Sequence, residues 1–241
     1  MCSTIGGQSG CSRCLRHRRR PETVLDLACG TGSLALRLAA QGIEVIGTDG
    51  SADMLAVARE RAAAVGADIL FLEQDMTALD LYGTVEGAIC TLDSLNHLTK
   101  TAALRETFAR LSLFVEPGGL LLFDVNTPYK HREILGDNRF VWEEEGLFCV
   151  WQNRFTPRTG EVEQLLDVFE EQPDGSYARY SDAVRERAYA GRTLRRLLAE
   201  CEWEPVAVYD DLSDNAPSAQ TERELWVVRN VTRRYEQERT D

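Results

Sequence analysis

The chain has 241 residues, of which 44% are hydrophobic and 27% charged, so it can bury one substantial core. No apolar run reaches the length of a membrane-spanning helix, which argues against an integral membrane protein. The net charge of -12 repels a phosphate backbone and argues against a large nucleic acid as partner. Seven cysteines, an odd number and mostly scattered singly, favour a reduced, cytoplasmic compartment over a disulfide framework.

Residues 1–20 differ from the rest of the chain because they contain five arginines and no acidic residue. We expect a disordered leader, since so few apolar side chains cannot build a core. Two other interpretations stay open. Cys11 and Cys14 have the spacing of half a zinc knuckle, and an Arg-rich, acid-free segment is also typical of an organelle transit peptide. One Cys-x-x-Cys pair is weak evidence, so we predict no metal site.

From residue 23 onward, short apolar runs alternate with helical patterns. Ser51 has the side chain of a helix N-cap, and an apolar stripe runs from Leu104 through Phe108 and Leu111 to Val115. This alternation predicts a mostly parallel sheet with helices on both faces. The predicted strands are Thr23–Ala28, Ile43–Gly47, Ile69–Leu72, Val85–Thr91 and Leu120–Val125, and the helices are Ser33–Ala40, Ser51 to Val65 and the Leu104 stripe, which Pro117-Gly118-Gly119 ends.

The pattern changes after Pro128, where strand-like runs are separated by turn signals. These runs are Phe140–Glu145, Leu147–Phe155, Glu161–Glu170 and Ser176–Arg185, followed by a helix around Leu194–Cys201 and strands at Val206–Tyr209 and Glu224–Arg229. The sequence therefore predicts an α/β fold with a Rossmann-like, mostly parallel, seven-stranded sheet and an inserted antiparallel β lid. We expect a core of residues 21–128 and 189–232, a lid of residues 129–188 and a short tail from 233 to 241.

A turn with two glycines, Gly30 and Gly32, joins the first strand to the first helix. With Asp49 near the end of the second strand it satisfies a loose dinucleotide fingerprint. Asp26, however, would place a carboxylate beside a diphosphate, which is unfavourable, whereas it would suit a ligand that carries an ammonium group.

Two further acids follow successive strands. Asp49 can accept hydrogen bonds from two ribose hydroxyls, and Asp75 in Gln74-Asp75-Met76 can accept one from an exocyclic amine. Singly, each acid is equally well explained as a turn or cap residue. Because open α/β sheets bind ligands at these strand ends, the three together favour a site. Ammonium, ribose and adenine amine describe S-adenosylmethionine rather than a nicotinamide cofactor.

Several motifs in this order resemble those of the class I S-adenosylmethionine-dependent methyltransferases. The resemblance covers about residues 21 to 231 and is closest to bacterial small-molecule-type members with a β-rich lid. The motifs are Val24–Ala39, Thr48–Leu55, Gln74-Asp75-Met76, Thr91–His97, Pro117-Gly118-Gly119 and Asp124–Lys130.

The resemblance implies a role for each matching residue. Gly30 and Gly32 would bring the backbone close to the methionine part, and Asp26 would reach its amino group. Asp49 would hold the ribose and Asp75 the adenine amine. The remaining implied cofactor residues are Ala28, Cys29, Thr31, Gly50, Met54 against the adenine face, Gln74, Met76, and Cys90 and Thr91 beside the sulfonium.

Two positions depart from the family pattern. Members usually carry a helical, aromatic-bearing segment before the first strand, whereas Met1–Arg20 contains no aromatic residue, and Gly50 replaces a bulkier residue. An S-adenosylmethionine-binding protein without catalytic activity, or a partner subunit, therefore stays open as an alternative. A nicotinamide-dependent enzyme is a more remote one, because no second catalytic Tyr-Lys or His group is evident.

The resemblance implies methyl transfer to a small-molecule acceptor but does not identify it. A hydroxyl or protonated amine acceptor needs a base, for which the candidates are Asp93, His97, His131 and Tyr189. Each is also well explained as a structural residue. Trp142 and Trp151 could line an acceptor site but are better explained as lid packing. A homodimer stays open.

Overall fold

A computed structural model of the chain describes residues 20–233. The leader with its possible zinc knuckle or transit peptide, and nearly all of the predicted tail, lie outside these residues. Within them, no helix is both long and apolar enough to pass through a lipid bilayer.

The predicted seven-stranded sheet is present and is mostly parallel. The strands lie in the order β10-β11-β5-β4-β1-β2-β3, and β11 is the one that runs against its neighbours. Their bounds are β1 Thr23–Leu27, β2 Glu44–Asp49, β3 Leu70–Glu73, β4 Val85–Cys90, β5 Val115–Asn126, β10 Trp203–Asp210 and β11 Arg223–Asn230. The carboxyl ends of β1 to β4 therefore meet at one edge of the sheet.

Helices cover both faces of this sheet. On one face, α1 (Ser33–Ala39) and α2 (Ala52–Val65) bury an apolar cluster against β1, β2 and β3. On the other face, α3 (Thr101–Phe114) and α4 (Gly191–Glu200) cover a larger cluster that includes Phe108, Phe123, Trp203 and Trp226. Ser51 caps α2 as expected, since its side chain accepts a hydrogen bond from the Met54 amide.

Pro117-Gly118-Gly119 does not act as the predicted helix terminator. The helix α3 already ends at Phe114, and β5 begins at Val115, so the triplet lies within the strand. Val85 pairs with Val115 and Gly87 with Leu120, so the triplet forms a bulge. Gly118 has φ +80°, a conformation that glycine adopts without strain.

The insertion is an antiparallel sheet, as predicted. We call its four strands the inserted sheet: β6 (Arg139–Glu144), β7 (Leu147–Thr156), β8 (Glu161–Glu171) and β9 (Tyr177–Arg187). A π-helical segment, Lys130–Leu135, precedes it and was not predicted. Trp151 packs against Phe140 at 5.4 Å and Trp142 at 6.2 Å between ring centroids, so both tryptophans contribute to packing in the inserted sheet.

We predict that Gly119→Ala lowers the free energy of unfolding by about 1–3 kcal/mol, because the added methyl group would overlap its surroundings. A Cβ at Gly119 would lie 2.6 Å from the Glu86 carbonyl oxygen and 2.7 Å from Val115 Cγ1. Gly83→Ala is the matched control, since a Cβ there meets nothing within 4 Å. Urea denaturation measures both variants, and equal stability of the two would contradict the prediction.

Candidate active site

A cavity of about 390 Å³ opens at the carboxyl ends of β1, β2 and β3. Its walls contain Ala28, Asp49, Gly50, Gln74, Asp75 and Met76, all of which the sequence indicated. Leu27, Glu73 and Leu98 also line it and were missed. Leu27 and Glu73 adjoin predicted residues and could have been included, whereas the approach of Leu98 depends on the fold alone.

The glycine turn is shaped by three residues in the left-handed region. Ala28, Gly30 and Gly32 have φ values of 57°, 53° and 74°. Gly32 is also needed for space, because a Cβ there would lie 3.1 Å from both the Ala58 Cβ and the Phe71 ring. Ala28 holds this conformation at a steric cost that glycine would not have, a form of strain typical of functional sites.

Asp49 joins the turn to the start of α2. Its Oδ2 accepts a hydrogen bond from the Gly30 amide at 2.8 Å, and its Oδ1 accepts one from the Ser51 amide at 2.9 Å. Each carboxylate oxygen can accept a second hydrogen bond, so the group is fixed in place and can still bind two neighbouring hydroxyls.

Asp26 lies behind the turn with only 2% of its surface exposed. Its Oδ2 has no hydrogen-bond partner among residues 20–233. Burial raises the pKa of Asp26 to about 7, helped by the Asp49 charge and opposed by a hydrogen bond from the Ala35 amide. A buried carboxylate without a cation is costly, so this site fits a ligand with an ammonium group.

The loop after β3 is fixed by its own side chains. The Gln74 side-chain amide bonds both backbone groups of Asp80, and the Gln74 main-chain amide donates to the Asp49 carbonyl oxygen. Asp75 is exposed, and its Oδ1 accepts hydrogen bonds from the Thr77 amide and hydroxyl, which lower the pKa of Asp75. Asp75 therefore remains a charged acceptor near neutral pH.

Other predicted cofactor residues differ in accessibility. Met54 is 47% exposed on the first turn of α2, so it is not a core residue and can cover a ligand. Cys90 is fully buried in the apolar core, and burial raises the pKa of its thiol. Cys29 and Thr31 are half-buried in the glycine turn, and Thr91 is half-buried just after β4.

The four candidate bases have different environments. Tyr189 is buried and donates its hydroxyl hydrogen to the Leu98 carbonyl oxygen; burial raises its pKa to about 12. His131 is fully buried, with Nδ1 3.2 Å from the Gly160 carbonyl oxygen. Asp93 is paired with Arg223, whereas His97 is exposed. The structure thus leaves the His97 ring as the most accessible of the four.

A polar network that the sequence did not indicate surrounds Asp93. Arg223 bridges Asp93 Oδ1 at 2.9 Å and Asp124 Oδ2 at 2.7 Å, and Asp124 also accepts a hydrogen bond from the Asp93 amide. Leu92 and Asp93 both have left-handed φ values, 58° and 51°, so the network holds a strained turn directly after β4. Asn126 donates to Asp93 Oδ2 at 2.5 Å.

Asn126 also links this network to Glu186 of the inserted sheet, at 3.2 Å. Glu186 lies 3.4 Å from His131 Nε2. Burial alone would raise the pKa of Glu186, but the contact with His131 and the nearby charge of His97 outweigh it, so that pKa is lowered. The inserted sheet therefore presents a charged carboxylate to the region around His97.

Fold and site together define an α/β enzyme that binds a nucleoside with an ammonium-bearing arm, and known proteins agree with this description. A family model described as a methyltransferase domain matches residues 24–119. A putative methyltransferase of Geobacillus sp. (strain WCH70) is 34% identical over 88% of this chain and 86% of its own.

A solved structure from Clostridium acetobutylicum, an S-adenosylmethionine-dependent methyltransferase, superimposes with a TM-score of 0.84. It is 27% identical and is matched over 90% of this chain and 87% of its own. A dTDP-3-amino-3,6-dideoxy-alpha-D-glucopyranose N,N-dimethyltransferase of Streptomyces fradiae is 33% identical over 45% of this chain and 41% of its own. The chain belongs to the class I S-adenosylmethionine-dependent methyltransferases.

We predict that cofactor affinity falls by about tenfold per pH unit below pH 7, because Asp26 must lose its proton to pair with the ammonium group. The folded pKa of about 7 lies above the ordinary 3.8, so the unliganded fold favours neutral Asp26. Protonated Asp26 therefore adds to the free energy of unfolding of the unliganded protein at low pH, and this contribution is lost as the pH rises through 7. Binding near neutral pH should therefore release a proton.

Calorimetric titration with S-adenosylhomocysteine from pH 5.5 to 8 measures this dependence. Asp26→Asn should bind weakly at every pH, with a flat profile. Asp75→Asn is the control and should keep the wild-type slope, because the pKa of Asp75 is lowered and does not fall in this range. A slope that persists in Asp26→Asn would assign the pH dependence to another group.

Proposed function

We propose that this enzyme transfers the methyl group of S-adenosylmethionine to a small-molecule amine. The observation that carries the cofactor assignment is the unpartnered, buried carboxylate oxygen of Asp26 behind the glycine turn. A pyrophosphate at the same turn would face a repulsive charge. An aminoacyl arm places a cation there instead.

The proposed cofactor position follows the strand ends in order. The Gly30–Gly32 turn and Asp26 would hold the methionine arm, and the free acceptor sites of Asp49 would hold the ribose. Asp75 and Met54 would hold the adenine. Ala28, Cys29, Thr31, Gly50, Gln74, Met76 and Thr91 complete this proposed set, whereas Cys90 is fully buried in the core and is left out of it.

We assign the acceptor region to the side of the site where the Leu92–Asp93 turn meets the inserted sheet. The Glu186 carboxylate there, whose pKa is lowered, suits an amine better than an acid. The Streptomyces fradiae relative, whose name describes an N,N-dimethyltransferase of an amino sugar, supports an amine acceptor. The network that holds Asp93 fixes one wall of this region.

The reaction is an in-line displacement. Bound S-adenosylmethionine would supply an electrophilic methyl group, which would pass to the amine lone pair while the sulfur keeps the bonding electron pair. A protonated amine must first lose a proton, and we propose His97 as the base, because its ring is the most exposed of the four candidate groups. The Glu186 carboxylate stabilises the resulting imidazolium. Positioning supplies most of the remaining rate enhancement.

We further propose that the enzyme works in the cytoplasm. Cys29, Cys90, Cys149 and Cys201 are free thiols, which agrees with a reducing compartment. The excess negative charge supports a small-molecule substrate over a nucleic acid.

We predict that Asp49→Ala weakens S-adenosylhomocysteine binding by at least about tenfold, because it removes the ribose acceptor and releases the Gly30 and Ser51 amides. Asp53→Ala, which removes an exposed acid from the first turn of α2, should bind like wild type. Calorimetry measures both, with NADH as a second ligand. Binding of NADH alone would overturn the cofactor assignment.

We predict that His97→Gln lowers the methylation rate by about 100-fold or more at neutral pH and leaves S-adenosylhomocysteine affinity unchanged. The assay follows S-adenosylhomocysteine release with pairs of amino sugars and their hydroxyl counterparts. Raising the pH should restore part of the rate, since the amine then deprotonates in solution. Turnover of the hydroxyl compounds alone would contradict the amine assignment.

A further inference from the structure

The inserted sheet rejoins the core beside the cofactor cavity. Strand β9 ends at Arg187, and Tyr189 follows two residues later, buried at 4% exposure. Three hydrogen bonds connect this junction to the segment between β4 and α3. Asn96 Nδ2 donates to the Arg187 carbonyl oxygen at 2.9 Å, Arg187 Nη1 donates to the Thr99 carbonyl oxygen at 3.0 Å, and the Tyr189 hydroxyl donates to the Leu98 carbonyl oxygen.

One of these bonds, from the Tyr189 hydroxyl, ends on Leu98, and the other two involve Asn96 and Thr99 on either side of it. Leu98 lies in the segment after β4 and lines the cofactor cavity. Ala28, Gly50 and Met76, which follow β1, β2 and β3, line the same cavity. Leu98 follows the short 3₁₀ helix Ser94–His97 and precedes α3, so its carbonyl is not part of a sheet ladder or of the first turns of α3. Its carbonyl oxygen therefore depends on a side-chain donor, and Tyr189 supplies one.

Tyr189 is suited to this task. Its raised pKa keeps the hydroxyl protonated, so that it remains a donor across the physiological pH range. The Arg187 guanidinium lies 5.1 Å from the centre of its ring, and this contact restricts the ring further. A hydroxyl that donates to a carbonyl oxygen and remains protonated is poorly placed to act as a base.

We propose that Tyr189 is a positioning residue that holds Leu98 against the adenosine end of the cofactor. The inserted sheet, which builds the acceptor side, thereby also sets one wall of the cofactor cavity. This inference rests on the proposed cofactor position. It gives Tyr189 a role in the reaction through Leu98 rather than through contact with the reacting atoms.

The test compares Tyr189→Phe with Thr107→Val. Both remove one buried hydroxyl that donates to a backbone carbonyl oxygen, but the Thr107 bond, 3.1 Å to the Ala103 carbonyl oxygen, lies within α3, and Thr107 does not line the cavity. We expect similar losses of Tm from the two. Only Tyr189→Phe should weaken S-adenosylhomocysteine binding, by about fivefold. Equal affinity in the two variants would overturn the proposal.

A second comparison separates positioning from general stability. Leu98→Ala should weaken binding by itself, and adding Tyr189→Phe to it should weaken binding little further, because the two residues are in contact. Independent, additive losses of affinity would show that Tyr189 acts by another route and would overturn the proposal. Asp49→Ala serves as the separate check of the cofactor position: if it binds normally, that position is wrong, whatever the Tyr189 variants show.

Discussion

The two hydrogen bonds that Asp49 accepts, one from Gly30 and one from Ser51, are the constraint on which the site depends. They hold the left-handed turn after β1 at a fixed distance from the start of α2. Together with the bond from the Cys29 amide to the Thr48 carbonyl oxygen, they fix the turn against β2. The same carboxylate also contributes to the raised pKa of Asp26, so one side chain sets both the shape and the charge balance of the site.

A second group of polar contacts organises the chain after β4 and β5. Arg223 belongs to β11, the strand that runs against its neighbours, and it neutralises acids from the ends of β4 and β5. Burial raises the pKa of Asp124 despite this pairing. Holding two adjacent non-glycine residues in the left-handed region costs free energy, and the bridge offsets that cost.

Much of the fold could be predicted because its signals are local. Alternating runs, the Ser51 cap and the turn residues of the insertion define strands and helices within a few residues of their observed bounds. The acids after β1, β2 and β3 could be grouped as well, since parallel strands bring their carboxyl ends to one edge. The prediction that Pro117-Gly118-Gly119 ends a helix was wrong, because proline and glycine are typical of strand bulges as well as of helix ends.

Contacts between distant parts of the chain could not be predicted. Nothing in the sequence near Arg223 indicates that it reaches Asp93, 130 residues away, or that Tyr189 bonds Leu98. These pairs depend on the order of the strands in the sheet and on where the chain returns to the core after the insertion. The spacing of apolar residues along the sequence contains no information about either. For the same reason His131 and Tyr189 could be nominated as bases, while their burial became visible only in the folded chain.

The Asn96 side chain forms hydrogen bonds with the backbone at both ends of the segment that contains the inserted sheet. Its amide nitrogen donates to the carbonyl oxygens of Asn126, where the chain leaves β5, and of Arg187, where it returns. The two ends are thus clamped together by one core residue, independently of what lies between them. Loop closure is then already achieved at the base, so lengthening or replacing the intervening strands adds little entropic cost.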